Sequence, residues 1–210
     1  INSKTVPANR LKDFGIEILK FDNNVFRIKG KQKYIGTEYV VEGDWSGSSF
    51  LIVAGLILGK IKIQGLNENS LQADIAIMEL LSELNYSFSF LNDELIIDQN
   101  QLKEFSFDAT DCPDLFPPLF ALAANSPGVS KIKGVHRLKH KESDRAKVLI
   151  EEFHKLGISS FIEDDTLHIV GGEIISSTVS SHNDHRIAMA LSVAALSSKN
   201  PVVIEDIQCI

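Results

Sequence analysis

The sequence predicts an α/β fold built from repeated βαβαββ units with buried parallel helices. Three observations carry that prediction. Strands end at Gly65, Gly134 and Asp206, a recurrence of about 70 residues, which marks a domain assembled from copies of one supersecondary unit. Within each copy a short helix, apolar almost all round, alternates with a longer two-faced one, although the third copy stops before its long helix. The composition is ordinary for a globular chain, with 44% hydrophobic and 23% charged residues, so disordered and fibrous classes are excluded.

The chain opens with a helix over Ala8 to Phe14, stopped by Gly15. Ile16 to Phe21 and Val25 to Ile28 alternate apolar and polar residues around the turn Asp22-Asn23-Asn24, and Tyr39 to Val41 reads as a further strand. Gly43 breaks the pattern, and Asp44 to Ser49 reads as a polar turn at a domain crossing. Residues 1–42 are therefore expected to be the end of a preceding domain and its hinge. Residues 43–210 form most of a second domain, with units at about 43–98, 104–170 and 180–210, the last incomplete.

The first unit holds a helix over Ser48 to Leu58, a strand over Lys60 to Gln64 and an amphipathic helix over Leu71 to Leu84. That long helix turns Ile75, Met78, Leu81 and Leu84 inward. The paired strands Tyr86 to Leu91 and Glu94 to Asp98 follow around Asn92-Asp93. The second unit repeats the order: helix Leu115 to Ala124, strand Val129 to Lys133, helix Ser143 to Leu156, then strands Ile158 to Ile162 and Thr166 to Val170. Val148, Phe153 and Leu156 are its inward residues. The third supplies a helix over His185 to Ser197 and a strand over Val202 to Glu205.

A formal net charge of −7 argues against a general nucleic-acid binder, which would repel the phosphate backbone. The longest greasy run, Phe50 to Leu58, is about half of the 18–20 residues that span a bilayer. Two distant cysteines, Cys112 and Cys209, form no disulfide framework and point to a reducing cytoplasm. The first residues lack the apolar core of a signal peptide, and with no starting Met a piece of a longer protein is expected.

Three helix starts could carry chemistry. Asp111-Cys112-Pro113-Asp114 precedes an apolar helix. Its plain reading is a carboxylate favoured by the helix dipole, and its functional reading is a general base at the mouth of a buried helix. Arg137 to Arg145 holds five basic or potentially basic side chains in nine residues of an acidic chain. Such a run is usually a solvated face, but this one meets a helix start that favours anions, with Lys141 and Arg145 spaced to share one face. Ser181 to Arg186 leads into the third short helix. An Asn or Asp cap explains it, except that Arg186 sits at the wrong end of the dipole, which a bound anion there would answer. His182 and His185 lack a third ligand at metal spacing, Cys112 lacks an activating partner, and no Gly-rich phosphate loop occurs.

K-E-S-D-R at 141–145 and N-D-H-R-I-A-M-A at 183–190 resemble the signature stretches of the 5-enolpyruvylshikimate-3-phosphate synthase family. E-G-D-x-S at 42–46, N-S-L-Q-A-D at 69–74 and D-C-P-D at 111–114 fit the same family in the same order, from about Phe14 to Asp206. The resemblance implies a two-domain cytoplasmic enzyme, monomeric at full length, with neither cofactor nor metal and with no nucleic-acid or membrane partner. It implies transfer of the enolpyruvyl group of phosphoenolpyruvate to the 5-hydroxyl of shikimate 3-phosphate, releasing phosphate, on the way to aromatic amino acids.

By the same resemblance Asp114 is the base at that hydroxyl, and Lys141 contacts shikimate 3-phosphate and assists proton movement. Glu142 gives the methylene carbon its proton. Arg145 and Arg186 hold phosphoenolpyruvate, with Asp184 and His185 in support. The family's early Lys and Arg residues and its Ser-Ser-Gln stretch have no counterpart in residues 1–210, so this chain alone is expected to be inactive. Another transferase of the same fold, or a non-catalytic repeat domain that binds an anion, is the competing reading. Asp114 separates the last of these, because a pure anion binder has no use for a carboxylate among its cations.

Overall fold

The computed structural model describes residues 6–21, 25–139 and 141–210. The turn expected at Asp22-Asn23-Asn24, and His140 within the basic run, lie outside the described residues. Helix α1 (Val6–Asp13) runs into Gly15, whose φ of +77° ends it in the left-handed region that glycine enters freely. Strands β1 (Ile18–Phe21) and β2 (Val25–Ile28) pair antiparallel, with Ile18 opposite Ile28. The strand expected at Tyr39 to Val41 is not formed. That stretch is extended but has no ladder partner among the described residues, and Val40 and Val41 lie exposed.

The first helix of the first unit begins earlier than expected. Asp44 to Ser49 is not a loop: Asp44 caps helix α2 (Trp45–Leu58) by accepting from the Ser46 and Gly47 amides at 3.0 and 2.9 Å. The apolar run therefore gains most of a helical turn, and Trp45 is fully buried. Next come β3 (Ile61–Gln64), a 3₁₀ turn at Ala73–Ala76 and α3 (Ile77–Glu83), followed by β4 (Phe88–Leu91) and β5 (Glu94–Ile97). The expected long helix is thus a four-residue 3₁₀ turn followed by a seven-residue α-helix, and its deepest residues are Ile77, Leu80 and Leu81. The sheet order is β3-β5-β4, all antiparallel. Gly55 lets α2 lie close on this sheet, since a Cβ there would come within 2.4 Å of Ile61.

The second unit is complete: β6 (Ser106–Asp108), α4 (Phe116–Asn125), β7 (Val129–Lys133), α5 (Arg145–Lys155), β8 (Ser159–Glu163) and β9 (Thr166–Val170). Its sheet runs β6-β7-β9-β8, with β6 parallel to β7 and the other pairs antiparallel. A 3₁₀ turn at Pro113–Leu115 leads into α4, so the expected helix start at Leu115 falls inside that turn. The third unit supplies β10 (Thr178–Ser180) parallel to β11 (Val203–Glu205), joined through α6 (His185–Ala195). Strands β6 and β10, with three residues each, carry too little pattern to be read locally.

Each unit carries an equivalent backbone bond from its opening segment to the end of its crossover strand. Gly43 donates to Gly65 at 2.7 Å, Ala109 to Lys133 at 3.0 Å, and Ser181 to Glu205 at 3.1 Å. The residues that leave those strands, Gly65, Gly134 and Asp206, all have positive φ. At Gly134 the reason is close approach as well as angle, because a Cβ there would meet the Thr110 backbone at 2.9 Å.

Helices α2, α4 and α6 form the interior, with α4 packed against both others. Every residue of α4 from Phe116 to Ala124 is buried. Helix α5 covers α4 through the Phe120 and Phe153 rings, whose centroids are 4.3 Å apart. Burying side chains of this size stabilises by about 1.5–3 kcal/mol each. The starts of the three inner helices meet at one end of the core: Arg186 of α6 reaches Ser46 of α2 at 2.6 Å and Asp114, just before α4, at 3.6 Å.

Candidate active site

The meeting point of those helix starts gathers the ionisable residues that the sequence singles out. Asp144 caps α5 by accepting from the Lys147 amide, so the helix begins at Arg145. Lys141 and Arg145 therefore do not share a helical face: residues 141–144 form the loop before the helix, and the two side chains meet through a common partner instead.

That partner is Asp114. Its Oδ1 accepts from Lys141 Nζ at 3.0 Å and from Arg145 Nη1 at 2.9 Å, while Oδ2 pairs with Arg186 Nη2 at 3.6 Å. One carboxylate thus faces three cations drawn from two units. Burial pushes its proton affinity up, but Arg186, Lys141 and Arg145 together outweigh that and hold Asp114 below the usual carboxylate range.

Arg145 is the buried anchor, only 1% exposed. A buried guanidinium must have its donors paired. Nε and Nη2 grip the fully buried Asp184 at 2.8 and 3.3 Å, Nη1 holds Asp114, and Nη2 also meets Glu142. Asp184 in turn caps α6 by accepting from the Arg186 amide at 3.0 Å, and takes the Ser143 hydroxyl at 3.0 Å. Burial raises Asp184, yet Arg145, the Arg186 amide and Ser143 pull it below its ordinary range. Arg186 is answered here by Asp114 and Ser46, so its place in a first helical turn is explained within the chain. His185 opens α6, and among the described residues its ring joins none of these bonds.

Three contributors escape a local reading. Ser46 holds Arg186. Asp74, in the 3₁₀ turn before α3, is raised to about 6, first by burial and then by Asp114. Both lie in stretches that carry the family resemblance, but nothing in their spacing assigns a task. The third is Glu152, a carboxylate on the inward face of α5 beside Phe153. It accepts from His182 Nε2 at 2.8 Å, the Ser180 amide at 2.9 Å and Lys155 Nζ at 2.8 Å. These bonds hold the turn in which His182 and Asn183 both take positive φ, directly before Asp184. A charged residue within an inward stripe is the signal that could have found it. Cys112 lies buried nearby, its thiol pushed up to about 12 by burial and surrounding carboxylates, which leaves it protonated.

The cluster is open on one side. Arg145 and Asp184 are sealed, while the Asp114 side chain is 29% exposed and Lys141 and Glu142 reach solvent. A cavity of about 620 Å³ lies elsewhere, between Val40–Glu42, Asn67–Asn69 and Asn92–Asp93. Among the described residues its lining includes Glu42, Glu68 and Asp93 and no Lys or Arg, so it suits an anionic ligand poorly.

Residues 5–210 match the family model described as EPSP synthase (3-phosphoshikimate 1-carboxyvinyltransferase). The chain belongs to the EPSP synthase family. Among curated relatives, the 3-phosphoshikimate 1-carboxyvinyltransferase of Clostridium acetobutylicum is 41% identical over 201 residues, covering 95% of this chain and 46% of the relative. That of Brachyspira hyodysenteriae is 38% identical over 203 residues, covering 95% and 48%. A solved EPSP synthase from Acinetobacter baumannii superposes with a TM-score of 0.77 at 27% identity, over 94% of this chain and 49% of that one. The chain spans about half the length of the curated relatives it matches. The family matched is the one that the K-E-S-D-R and N-D-H-R-I-A-M-A stretches resemble, and both stretches run into the cluster at Asp114.

Proposed function

We propose that this chain supplies the second-domain share of a 3-phosphoshikimate 1-carboxyvinyltransferase site, joining phosphoenolpyruvate to shikimate 3-phosphate. The observation that carries this reading is Asp114 held ionised among Lys141, Arg145 and Arg186. The reaction needs a carboxylate beside cations: the 5-hydroxyl must lose a proton while the phosphate and carboxylate of its partner are gripped. Asp114 takes that proton as the hydroxyl oxygen bonds to the enol carbon. Glu142 delivers a proton to the methylene carbon, giving a tetrahedral intermediate. Loss of a proton from that carbon and cleavage of the bond to the phosphate oxygen then release phosphate and restore the double bond. Arg186, and the buried Arg145 once its terminal nitrogens exchange Asp114 and Glu142 for the ligand, bind phosphoenolpyruvate and stabilise the charge of the intermediate, and Lys141 holds shikimate 3-phosphate. Asp184 fixes both arginines, through a side-chain grip on one and a cap on the other.

In this reading residues 1–42 end the preceding domain and form the hinge, the active assembly is a cytoplasmic monomer, and neither nucleic acid nor membrane takes part. No helix among the described residues is long and apolar enough to cross a membrane.

The test joins this chain to the N-terminal half of the Clostridium acetobutylicum relative and follows phosphate release. Release should depend on shikimate 3-phosphate, and the 210-residue chain alone should give none. Asp114→Ala should cut turnover by about a hundred- to ten-thousandfold with a modest change in the KM for phosphoenolpyruvate. Arg145→Ala and Arg186→Ala should chiefly raise that KM. Near-normal turnover in Asp114→Ala would move the base elsewhere.

A further inference from the structure

Asp74 is pinned at the edge of the cluster by Gln72, two residues before it. Gln72 accepts from the Trp45 amide and donates to the Gly43 carbonyl, both at 2.9 Å, tying the 3₁₀ turn to the start of α2. Asp74 Oδ1 is buried and has no hydrogen-bond partner among the described residues. Arg186, the cation that acts on it, is committed elsewhere, with Nη1 on Ser46 and Nη2 on Asp114. An ionised carboxylate with a bare buried oxygen lacks the pairing that buried charge requires. A protonated one is neutral and can itself donate.

The charges of the cluster point the same way. Lys141, Arg145 and Arg186 face Asp114, Glu142, Asp184 and Asp74, three cations against four carboxylates. With all four ionised the site carries one net negative charge, a poor host for an anion. A proton on Asp74 removes one of those negative charges.

We infer that Asp74 takes up a proton as the cluster binds its anionic substrate, so that anion binding at Lys141, Arg145 and Arg186 is coupled to protonation of this carboxyl group. The inference rests on the reading of the cluster as the phosphoenolpyruvate site. The groups acting on Asp74 are Arg186 and the Ser46 hydroxyl, which favour its ionised form, and Asp114 and Asp44, which oppose it. Burial is the largest influence and also opposes ionisation, leaving the group near 6 before any ligand arrives. The Cys112 thiol feels Asp74 too but stays protonated throughout. An arriving anion engages the Arg186 charge that favours ionised Asp74, and adds negative charge of its own. Both raise Asp74 further. Coupling is reciprocal, so the anion binds more tightly to the protonated form, and affinity falls as pH rises through the Asp74 midpoint.

The test is an NMR titration of the 210-residue chain from pH 4 to 8, with and without saturating phosphoenolpyruvate, reading side-chain carboxyl ¹³C, backbone amide and Lys and Arg side-chain signals, with Asp74 assigned by through-bond correlation to its own backbone. The free midpoint should stand well above the roughly pH 4 of ordinary carboxylates, and should rise by about one unit with ligand, equivalent to about tenfold in affinity across the transition. Asp74→Asn should bind phosphoenolpyruvate without that tenfold fall. The ligand's own phosphate titrates alike with both proteins, so their difference isolates the residue. If the Arg186 amide shifts with ligand while the Asp74 midpoint stays still, the coupling is overturned and the site reading stands. If phosphoenolpyruvate moves no signal of Lys141, Arg145 or Arg186, both fall. Should Asp74→Asn fail to fold, the wild-type pair of titrations decides alone.

Discussion

Helices α2 and α6 start on the same device. Asp44 (φ −81°, ψ 110°) and Asp184 (φ −106°, ψ 113°) are both extended caps whose carboxylates accept the amide two residues on. There the likeness stops. Asp44 places both oxygens on backbone amides, at Ser46 and Gly47. Asp184 places one oxygen on the Arg186 amide and takes the Arg145 guanidinium and the Ser143 hydroxyl besides. A cap is decided by four or five adjacent residues. Whether that cap also organises a site is decided by what another unit brings to its free lone pairs, here the first residue of α5.

The largest effect expected from that contrast is in stability. Asp184→Ala strips the sealed Arg145 of its principal partner, and breaking one side of a buried pair costs about 3–5 kcal/mol. Asp44→Ala removes only a cap, worth about 1 kcal/mol. Urea unfolding of the two variants should separate them clearly, and equal losses would mean that Arg145 is satisfied without Asp184.

Next is Glu152, whose carboxylate holds the turn before Asp184, where the stretch before Asp44 is held by the neutral Gln72 amide on the Gly43 carbonyl. His182 and Asn183 hold consecutive left-handed conformations that cost of order 1 kcal/mol or more each, and persist because their surroundings impose them. Glu152→Ala leaves the Ser180 amide and His182 without their acceptor, and should lose about 2 kcal/mol. The same change should raise the KM for phosphoenolpyruvate in the joined enzyme, because the turn that aims Arg186 loosens. A purely structural role would leave KM where it was.

Acid sharpens the comparison by sign. Asp184 and Glu152 are held below their ordinary values, so each contributes stability above the unfolded value of about 4, lost as pH falls through the lower folded value. Asp74 is raised to about 6 and acts in reverse. Between about 4 and 6 the folded state binds more protons than the unfolded one, so stability declines as pH climbs that window. Asp74→Asn should therefore stabilise the chain at pH 7, by of order 1 kcal/mol or more, and lose that advantage near pH 4. An advantage that persists at pH 4 would assign the effect to packing.

These contrasts also show what is legible along a chain. Strand β7, strand β9 and the inward face of α5 follow from alternation and helical spacing, because each buries a face that its own residues define. Tyr39 to Val41 has the right residues for a strand and no neighbour to pair with among the described residues, whereas Ser106–Asp108 and Thr178–Ser180 are strands because β7 and β11 offer parallel edges. Arg145, Lys141, Arg186 and Asp114 stand out as charges at helix starts. Ser46, Asp74 and Glu152 do not, since their roles exist only once three helix starts converge. The Lys141–Arg145 spacing misleads for a local reason: Asp144 caps the helix one residue before Arg145.

The smallest expected effect tests the caps directly. Serine accepts an amide hydrogen bond at a helix cap nearly as well as aspartate, and the two rank together at this position. At Asp44 the carboxylate meets only backbone amides, so Asp44→Ser gives up one of two short bonds and should shift stability by no more than a few tenths of a kcal/mol. The same exchange at Asp184 keeps the cap but removes the charge that Arg145 needs, and should cost nearly as much as alanine does. Guanidinium unfolding midpoints of Asp44→Ser and Asp184→Ser, each beside its alanine variant, give the readout. If serine rescues Asp184 as fully as it rescues Asp44, the two aspartates are the same cap in different places, and the pairing of Arg145 is carried by Asp114 and Glu142 instead.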